Sequence, residues 1–111
     1  MAKTNAAFMS GVPELLVLRL LLNEEKYGYE IVRGIYQSTR ETIKLAEGVI
    51  YPTLHTLEEK GFLKARSKSV DGRTRVYYKV TARGKKRFES IHQQWQDITA
   101  GVNSCLELSY V

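Results

Sequence analysis

The sequence predicts a mainly α (α+β) fold, a winged helix-turn-helix followed by a long C-terminal dimerisation helix. Three observations predict it. Three segments with helical apolar spacing come first, two alternating segments meet at Asp71-Gly72, and a heptad-spaced apolar row closes the chain. The domain assignment that follows is 1–80 for the winged helix-turn-helix and 81–108 for the terminal helix, the two forming one compact unit.

The first helix is expected from Val12 to Asn23, with Pro13 in the first turn, where a missing N–H costs little. Leu15, Leu18 and Leu22 form one stripe, and Leu16, Val17, Leu20 and Leu21 make most other sides apolar. Such a helix needs partners on several faces, in its own core or from a second subunit. The segment NEEKYG breaks the pattern, and a second helix from Gly28 to Ser38 turns Ile31, Val32 and Ile35 inward. Gly28 is read as permitting a close approach between these first two helices. The third helix is expected over 47–60, striped by Ile50, Leu54 and Leu57 and stopped at Gly61. Pro52 removes the N–H that would serve the Gly48 carbonyl, so an irregular first turn is expected.

Next comes the hairpin. Leu63, Ala65, Ser67 and Ser69 alternate with Lys64, Arg66 and Lys68; Thr74, Val76, Tyr78 and Val80 alternate with Arg73, Arg75, Tyr77 and Lys79. Asp-Gly between two such segments marks a type I′ turn. A two-residue loop pairs Val70 with Arg73, Lys68 with Arg75, Arg66 with Tyr77 and Lys64 with Lys79, which gathers the cations on one face. Like charges so arranged call for an anion or open solvent.

Thr81 is the expected N-cap of the last helix. The RGKKR that follows opposes the helix dipole, a placement easier to accept if these charges face phosphate. Phe88, Ile91, Trp95, Ile98, Val102 and Cys105 then recur at spacings of 3 and 4. A helix of roughly 25 residues is about 37 Å long and outreaches a domain built from the other elements. The surplus seam is expected to meet a second copy of the chain as a homodimer.

Composition narrows the function classes. At 111 residues the chain is a single domain with one modest core, for which extra burial by self-association is unsurprising. Residues 60–87 carry eleven Lys or Arg against one acid, while the segments on either side are net negative. Positive charge concentrated in this way is what a polyanion would feel. Cys105 is the only cysteine, which excludes an internal disulfide and a cysteine-based zinc cluster, and it is read as a buried small hydrophobe. The N-terminus lacks an apolar core of signal-peptide length, and Val12–Leu22 is interrupted by Glu14 and Arg19 and too short to span a bilayer, so a cytoplasmic protein is expected. His55 and His92 lie far apart, no nucleophile motif or phosphate-binding glycine loop occurs, and neither enzyme chemistry, a metal nor a cofactor is expected.

In this fold the N-terminal half of helix 47–60 enters the major groove and the hairpin reaches flanking backbone. Gly48, Val49, Tyr51, Pro52, His55 and Thr56 are left facing outward, a set without the Arg, Lys, Asn or Gln that usually pair with bases. Most affinity for double-stranded DNA is therefore expected from phosphate contacts by Lys64, Arg66, Lys68, Arg73 and Arg75. Specificity is expected to come from groove shape and from the spacing of two half-sites in a pseudo-palindromic operator. The competing reading is a winged helix that docks other proteins; the charge of residues 60–87 speaks against it.

The runs YGYEI at 27–31, GVIYPTLHTLEEKGFL at 48–63 and DGRTRVYYKVTARG at 71–84 resemble the PadR family of bacterial transcriptional regulators, and its short, multidrug-responsive branch in length. The resemblance implies a repressor of detoxification, efflux or phenolic-compound genes, dimerised through the C-terminal helices with help from the N-terminal one, here Leu15 and Leu18. It places Tyr51 on the family's recognition-helix tyrosine and Gly72, Arg73 and Arg75 on its basic wing. It further implies that Trp95 and its symmetry mate stack on a small aromatic ligand, with Phe88, Ile91 and Ile98 as apolar walls. Two departures stand out: Ala46-Glu47 replaces the family's frequent Ser-Pro, which loses a cap, and Val49 replaces a small hydroxyl residue.

Overall fold

The computed structural model describes residues 6–109. A 3₁₀ turn, Ala6–Met9, leads into α1 (Val12–Leu21), β1 (Lys26–Tyr27), α2 (Gly28–Ser38), α3 (Glu47–Glu59), β2 (Leu63–Val70), β3 (Arg73–Val80) and α4 (Ala82–Leu106). The strands form one antiparallel sheet in the order β1-β3-β2. The two hairpin strands pair as the Asp-Gly turn requires, Val70 with Arg73, Lys68 with Arg75, Arg66 with Tyr77 and Lys64 with Lys79. Asp71 and Gly72 both take positive φ, 50° and 75°, the signature of a type I′ turn. β1 was hidden in the segment that breaks the helical pattern: Lys26 and Tyr27 pair with Tyr78 and Tyr77.

The core lies where α1, α2, α3 and the inner sheet face converge. Val17, Leu18, Leu21, Ile31, Ile35, Ile50 and Leu54 are all but inaccessible, and Leu15, Leu45, Leu57, Leu63, Tyr78 and Phe88 close the cluster. Leu15, Val17, Leu18 and Leu21 of α1 are thus satisfied inside the protomer, while Leu16, Leu20 and Leu22 are only partly covered. The stripe of Ile50, Leu54 and Leu57 anchors α3 as its spacing predicts, and α3 runs unbroken through Pro52. Gly48 is exposed, so the carbonyl that loses its partner to Pro52 suffers no burial penalty.

Two glycines set the helix spacings, and not as the sequence suggests. A Cβ on Gly28 would strike the Tyr51 ring of α3, 2.7 Å from its hydroxyl, so Gly28 admits α3 rather than α1. The close approach of α1 and α2 occurs at Gly34, against the Leu20 side chain. Between α2 and α3 the chain turns through Arg40 and Glu41, both at positive φ. Thr39 braces this strained corner: its hydroxyl donates to the Ile35 carbonyl at 2.7 Å and accepts from the Ile43 N–H at 3.1 Å.

α4 is fixed at its base and free beyond it. Thr81 caps it, its hydroxyl accepting from the Gly84 N–H at 3.0 Å and donating to the Gly61 carbonyl at 2.6 Å. Gly84 is pressed against the Phe62 carbonyl, where no side chain fits. The helix then leaves the domain, giving dimensions of 66 × 33 × 21 Å.

Candidate nucleic-acid interface

Burial of Ile50, Leu54 and Leu57 dictates which side of α3 is presented. Gly48, Val49, Tyr51, Pro52 and His55 are all exposed, as expected. Tyr51 and His55 border a hollow of about 330 Å³ whose far wall is Thr74, Arg75, Val76 and Tyr78 of β3. Val49, Pro52 and Thr56 border a second groove toward Met9 and Pro13 at the start of α1. The outer surface of α3 therefore runs between the hairpin on one flank and the start of α1 on the other. Burial, with smaller contributions from Glu58 and Tyr51, pushes the Tyr78 phenol above its usual range.

In a pleated ribbon, directly paired residues share a face. Leu63, Ala65, Ser67, Val76, Tyr78 and Val80 take the face that meets the core and α3; the cations and Tyr77 take the other. That cationic face carries its own anion. Glu25, just before β1, accepts from Arg66 Nε at 2.8 Å and Nη2 at 2.5 Å, and lies 2.5 Å from Lys68 Nζ. Hydrogen bonds from Arg66 and Lys68 hold the Glu25 carboxyl down at about 2. Aromatic rings engage the cations further: Lys68 lies 4.6 Å over the Tyr77 ring and Arg75 4.4 Å over Tyr27, whose ring meets Tyr77 edge-on at 5.4 Å.

The five wing cations singled out from the sequence thus divide. Arg66 and Lys68 are paired with Glu25 and Arg75 is stacked, while Lys64 and Arg73 have no acidic partner among the described residues. Sequence reasoning missed Glu25, Tyr27 and Tyr77; the signal was a pair of acids set beside a strand register that demanded an anion. The cations opening α4 are also engaged within the protein. Arg83 and Arg87 lie over the Phe62 ring, and Arg87 grips Glu14 of α1 through two hydrogen bonds of 2.7 and 3.0 Å. Of that RGKKR run, Arg83, Lys85 and Lys86 are exposed, and only Arg87 is paired with an acid.

The residues expected at a subunit seam divide as well. Leu15, Leu18 and Phe88 are buried in the protomer core, 9%, 0% and 8% exposed, and offer no surface to a partner or a ligand. Ile91 is half-buried. Trp95, Ile98 and Val102 stand 45%, 61% and 51% exposed, and Cys105 is exposed rather than buried. Among the described residues no cluster of His, Cys, Asp or Glu could hold a metal ion, and no helix is long and apolar enough to cross a membrane.

Residues 17–90 match the model of the transcriptional regulator PadR-like family. The chain is 30% identical over 93 residues to an uncharacterized protein of Lysinibacillus sphaericus, covering 83% of this chain and 85% of that one. Its fold is similar to a transcriptional regulator from Clostridium thermocellum (TM-score 0.83, 26% identity, 88% of this chain and 96% of that one). It is likewise similar to a PadR family transcriptional regulator from Eggerthella lenta (TM-score 0.82, 26% identity, 94% and 89%). The family is one of transcriptional regulators, which are not enzymes. A winged helix-turn-helix with a capped, projecting terminal helix, matched over most of its core by one family model, places the chain: it belongs to the PadR-like family of transcriptional regulators.

Proposed function

We propose that two copies of this chain join through α4 and act in the cytoplasm as a repressor that binds a pseudo-palindromic operator in double-stranded DNA. The outer surface of α3, with Gly48, Val49, Tyr51, Pro52 and His55, enters the major groove. The hairpin tip, led by Arg73 and Gly72, rests on the flanking backbone with Lys64 behind it. One observation carries the reading: the exposed side of α3 from Gly48 to His55, which bears no Lys, Arg, Asp or Glu, borders β3 of a hairpin whose tip arginine, Arg73, has no acidic partner among the described residues. Such a pair divides labour, with phosphate contacts supplying affinity and α3 supplying discrimination. The exposed row Trp95, Ile98, Val102 and Leu106 supports the second half of the reading. Contiguous apolar surface on a projecting helix is costly unless another surface covers it, and a second α4 fits its heptad spacing.

A mobility shift on the DNA upstream of the protein's own gene, at two salt concentrations, tests the reading. Saturable binding that weakens steeply with salt is expected, together with sedimentation as a dimer. A lone 12.7 kDa particle indifferent to duplex DNA at low ionic strength refutes it. Arg73→Ala weakens binding to all duplexes alike, whereas a change at Val49 alters the preference between sequences.

Release by a small aromatic or lipophilic effector belongs to the same reading. Two Trp95 rings, brought face to face by paired α4 helices, would admit a planar molecule between them, with Ile91 and Ile98 as walls. Phe88 is withdrawn from that pocket because it lies in the core beside His92, 5.2 Å between ring centroids. Quenching of Trp95 fluorescence by planar dyes is expected, and a flat response across a varied set removes the effector without touching the DNA-binding half.

A further inference from the structure

We propose that Glu25 is a built-in phosphate surrogate that holds part of the wing's positive charge back from DNA, and so limits how strongly the protein grips any duplex. This role presupposes the DNA-binding reading above and names the residue on this chain that moderates it.

Glu25 lies two residues before Tyr27, whose partner is Tyr77, so it falls beside the cationic face of the hairpin. There its carboxylate takes Arg66 through two nitrogens and Lys68 through a third. A guanidinium fork and an ammonium converging on two oxygens is also how such side chains hold a phosphate. The arrangement is layered: the Glu25 side chain is 19% exposed and that of Arg66 59%. The carboxylate therefore sits beneath the cations, and Arg66 stays within reach of a second anion arriving from solvent.

Stability does not account for the triad. Ion pairs this close to solvent contribute little to folding, and β1 is already held to β3 by backbone pairing. What the carboxylate changes is charge, since one acid cancels one of two cations. With its proton lost at about 2, Glu25 stays ionised under all ordinary conditions, so acid does not release the cations and only a competing polyanion does. No other wing cation is treated this way among the described residues: Arg75 is stacked on Tyr27, and Lys64, Arg73 and Lys79 have no acidic partner.

The test compares Glu25→Gln with the native protein on the upstream duplex and on an unrelated duplex, across a salt series. Phosphate contacts are blind to sequence, so the variant binds both duplexes more tightly at low salt, with their ratio unchanged. One freed cation steepens the log–log salt dependence by about 0.9, an additional loss of about 3- to 4-fold between roughly 50 and 200 mM salt. Adding Arg66→Gln to Glu25→Gln returns the slope to the native value. In the native background, Lys68→Gln shallows the slope by a similar amount, a second route to the same count.

Equal slopes for native protein and Glu25→Gln, with DNA binding intact, overturn the proposal and leave the DNA reading standing. Weaker binding with an unaltered slope and a changed ratio between duplexes overturns it too, because that is how a purely mechanical strut behaves. Retention of no duplex by any of the proteins overturns the DNA reading and this role together.

Discussion

Replacing Gly28 with alanine puts a methyl group where the Tyr51 ring now lies. The new carbon would sit 2.7 Å from the hydroxyl oxygen and 2.9 Å from two ring carbons. Carbon pairs are comfortable at about 3.5 Å or more, so something must yield. α3 cannot, because Ile50, Leu54 and Leu57 hold its opposite side in the core. The ring can, because Tyr51 is 39% exposed and has open solvent to turn into. An off-rotamer or displaced side chain costs about 0.5–1.5 kcal/mol, and alanine in place of glycine in a helix returns up to about 1 kcal/mol. Net stability is expected within about 1 kcal/mol of native, a shift in midpoint of no more than about 8 °C.

DNA discrimination responds differently. If Tyr51 reads a base edge, moving its ring forfeits about 1–3 kcal/mol of preference for the operator, roughly 5- to 150-fold. Thermal unfolding and competition between operator and scrambled duplexes measure the two quantities separately. The double variant Gly28→Ala, Tyr51→Ala relieves the clash and recovers stability but not preference, a coupling that a double-mutant cycle isolates. Unchanged preference in Gly28→Ala refutes the role of Tyr51. A loss of stability beyond about 3 kcal/mol refutes the view that the ring, rather than the helix, gives way.

Three further outcomes are expected. Gly84→Ala forces a methyl group into the Phe62 carbonyl, a backbone atom that cannot step aside, and urea unfolding should register a loss of about 2–3 kcal/mol. Thr81→Ala removes the acceptor for the Gly84 N–H and the donor to the Gly61 carbonyl, and the same assay should show about 1–2 kcal/mol lost. The third concerns acid. Because Arg66 and Lys68 depress the Glu25 carboxyl from its ordinary 4.5 to about 2, its contribution to stability, small for an ion pair this close to solvent, is complete above 4.5 and disappears as pH falls toward 2. The difference in urea midpoint between native protein and Glu25→Gln should therefore be constant near neutrality and close in that acid window; a gap that survives below it contradicts the ion pairing.

Local pattern made several elements legible. Asp-Gly favours a two-residue loop, and from that loop every cross-strand pair follows, Val70 with Arg73 through Lys64 with Lys79. The i, i+4, i+7 spacing of Ile50, Leu54 and Leu57 set the face of α3, and Thr81 announced the start of α4. What escaped depends on tertiary placement. β1 is two residues long, too short for any period to show. Glu25 meets Arg66 across 41 positions of sequence, and only the strand order β1-β3-β2 brings them together. Gly28 signalled tight space but could not name Tyr51 as its occupant. The apolar circumference of α1 called for partners without saying whose, and Leu15 and Leu18 found theirs within the chain. Along α4 the heptad phase is continuous, so nothing in the spacing marks that Phe88 belongs to the core while Trp95 and its successors leave it.

Formal charge overstates what a polyanion meets on this molecule. Of the eleven cations between 60 and 87, Arg83 and Arg87 fasten the base of α4 over Phe62 and onto Glu14, Arg66 and Lys68 share Glu25, and Arg75 covers Tyr27. The engaged group does mechanical work as well. Thr81 alone separates β3 from α4, and through it the Gly61 carbonyl, the Phe62 carbonyl and the Gly84 N–H are tied to one residue. With Gly84 pressed against Phe62 and Arg87 holding α1, no slack lies between the root of α4, the end of α3 and the return strand of the wing. In the proposed dimer, a change in the angle between the paired α4 helices would therefore be passed to the wings, which is the coupling that the proposed effector near Trp95 requires in order to release DNA.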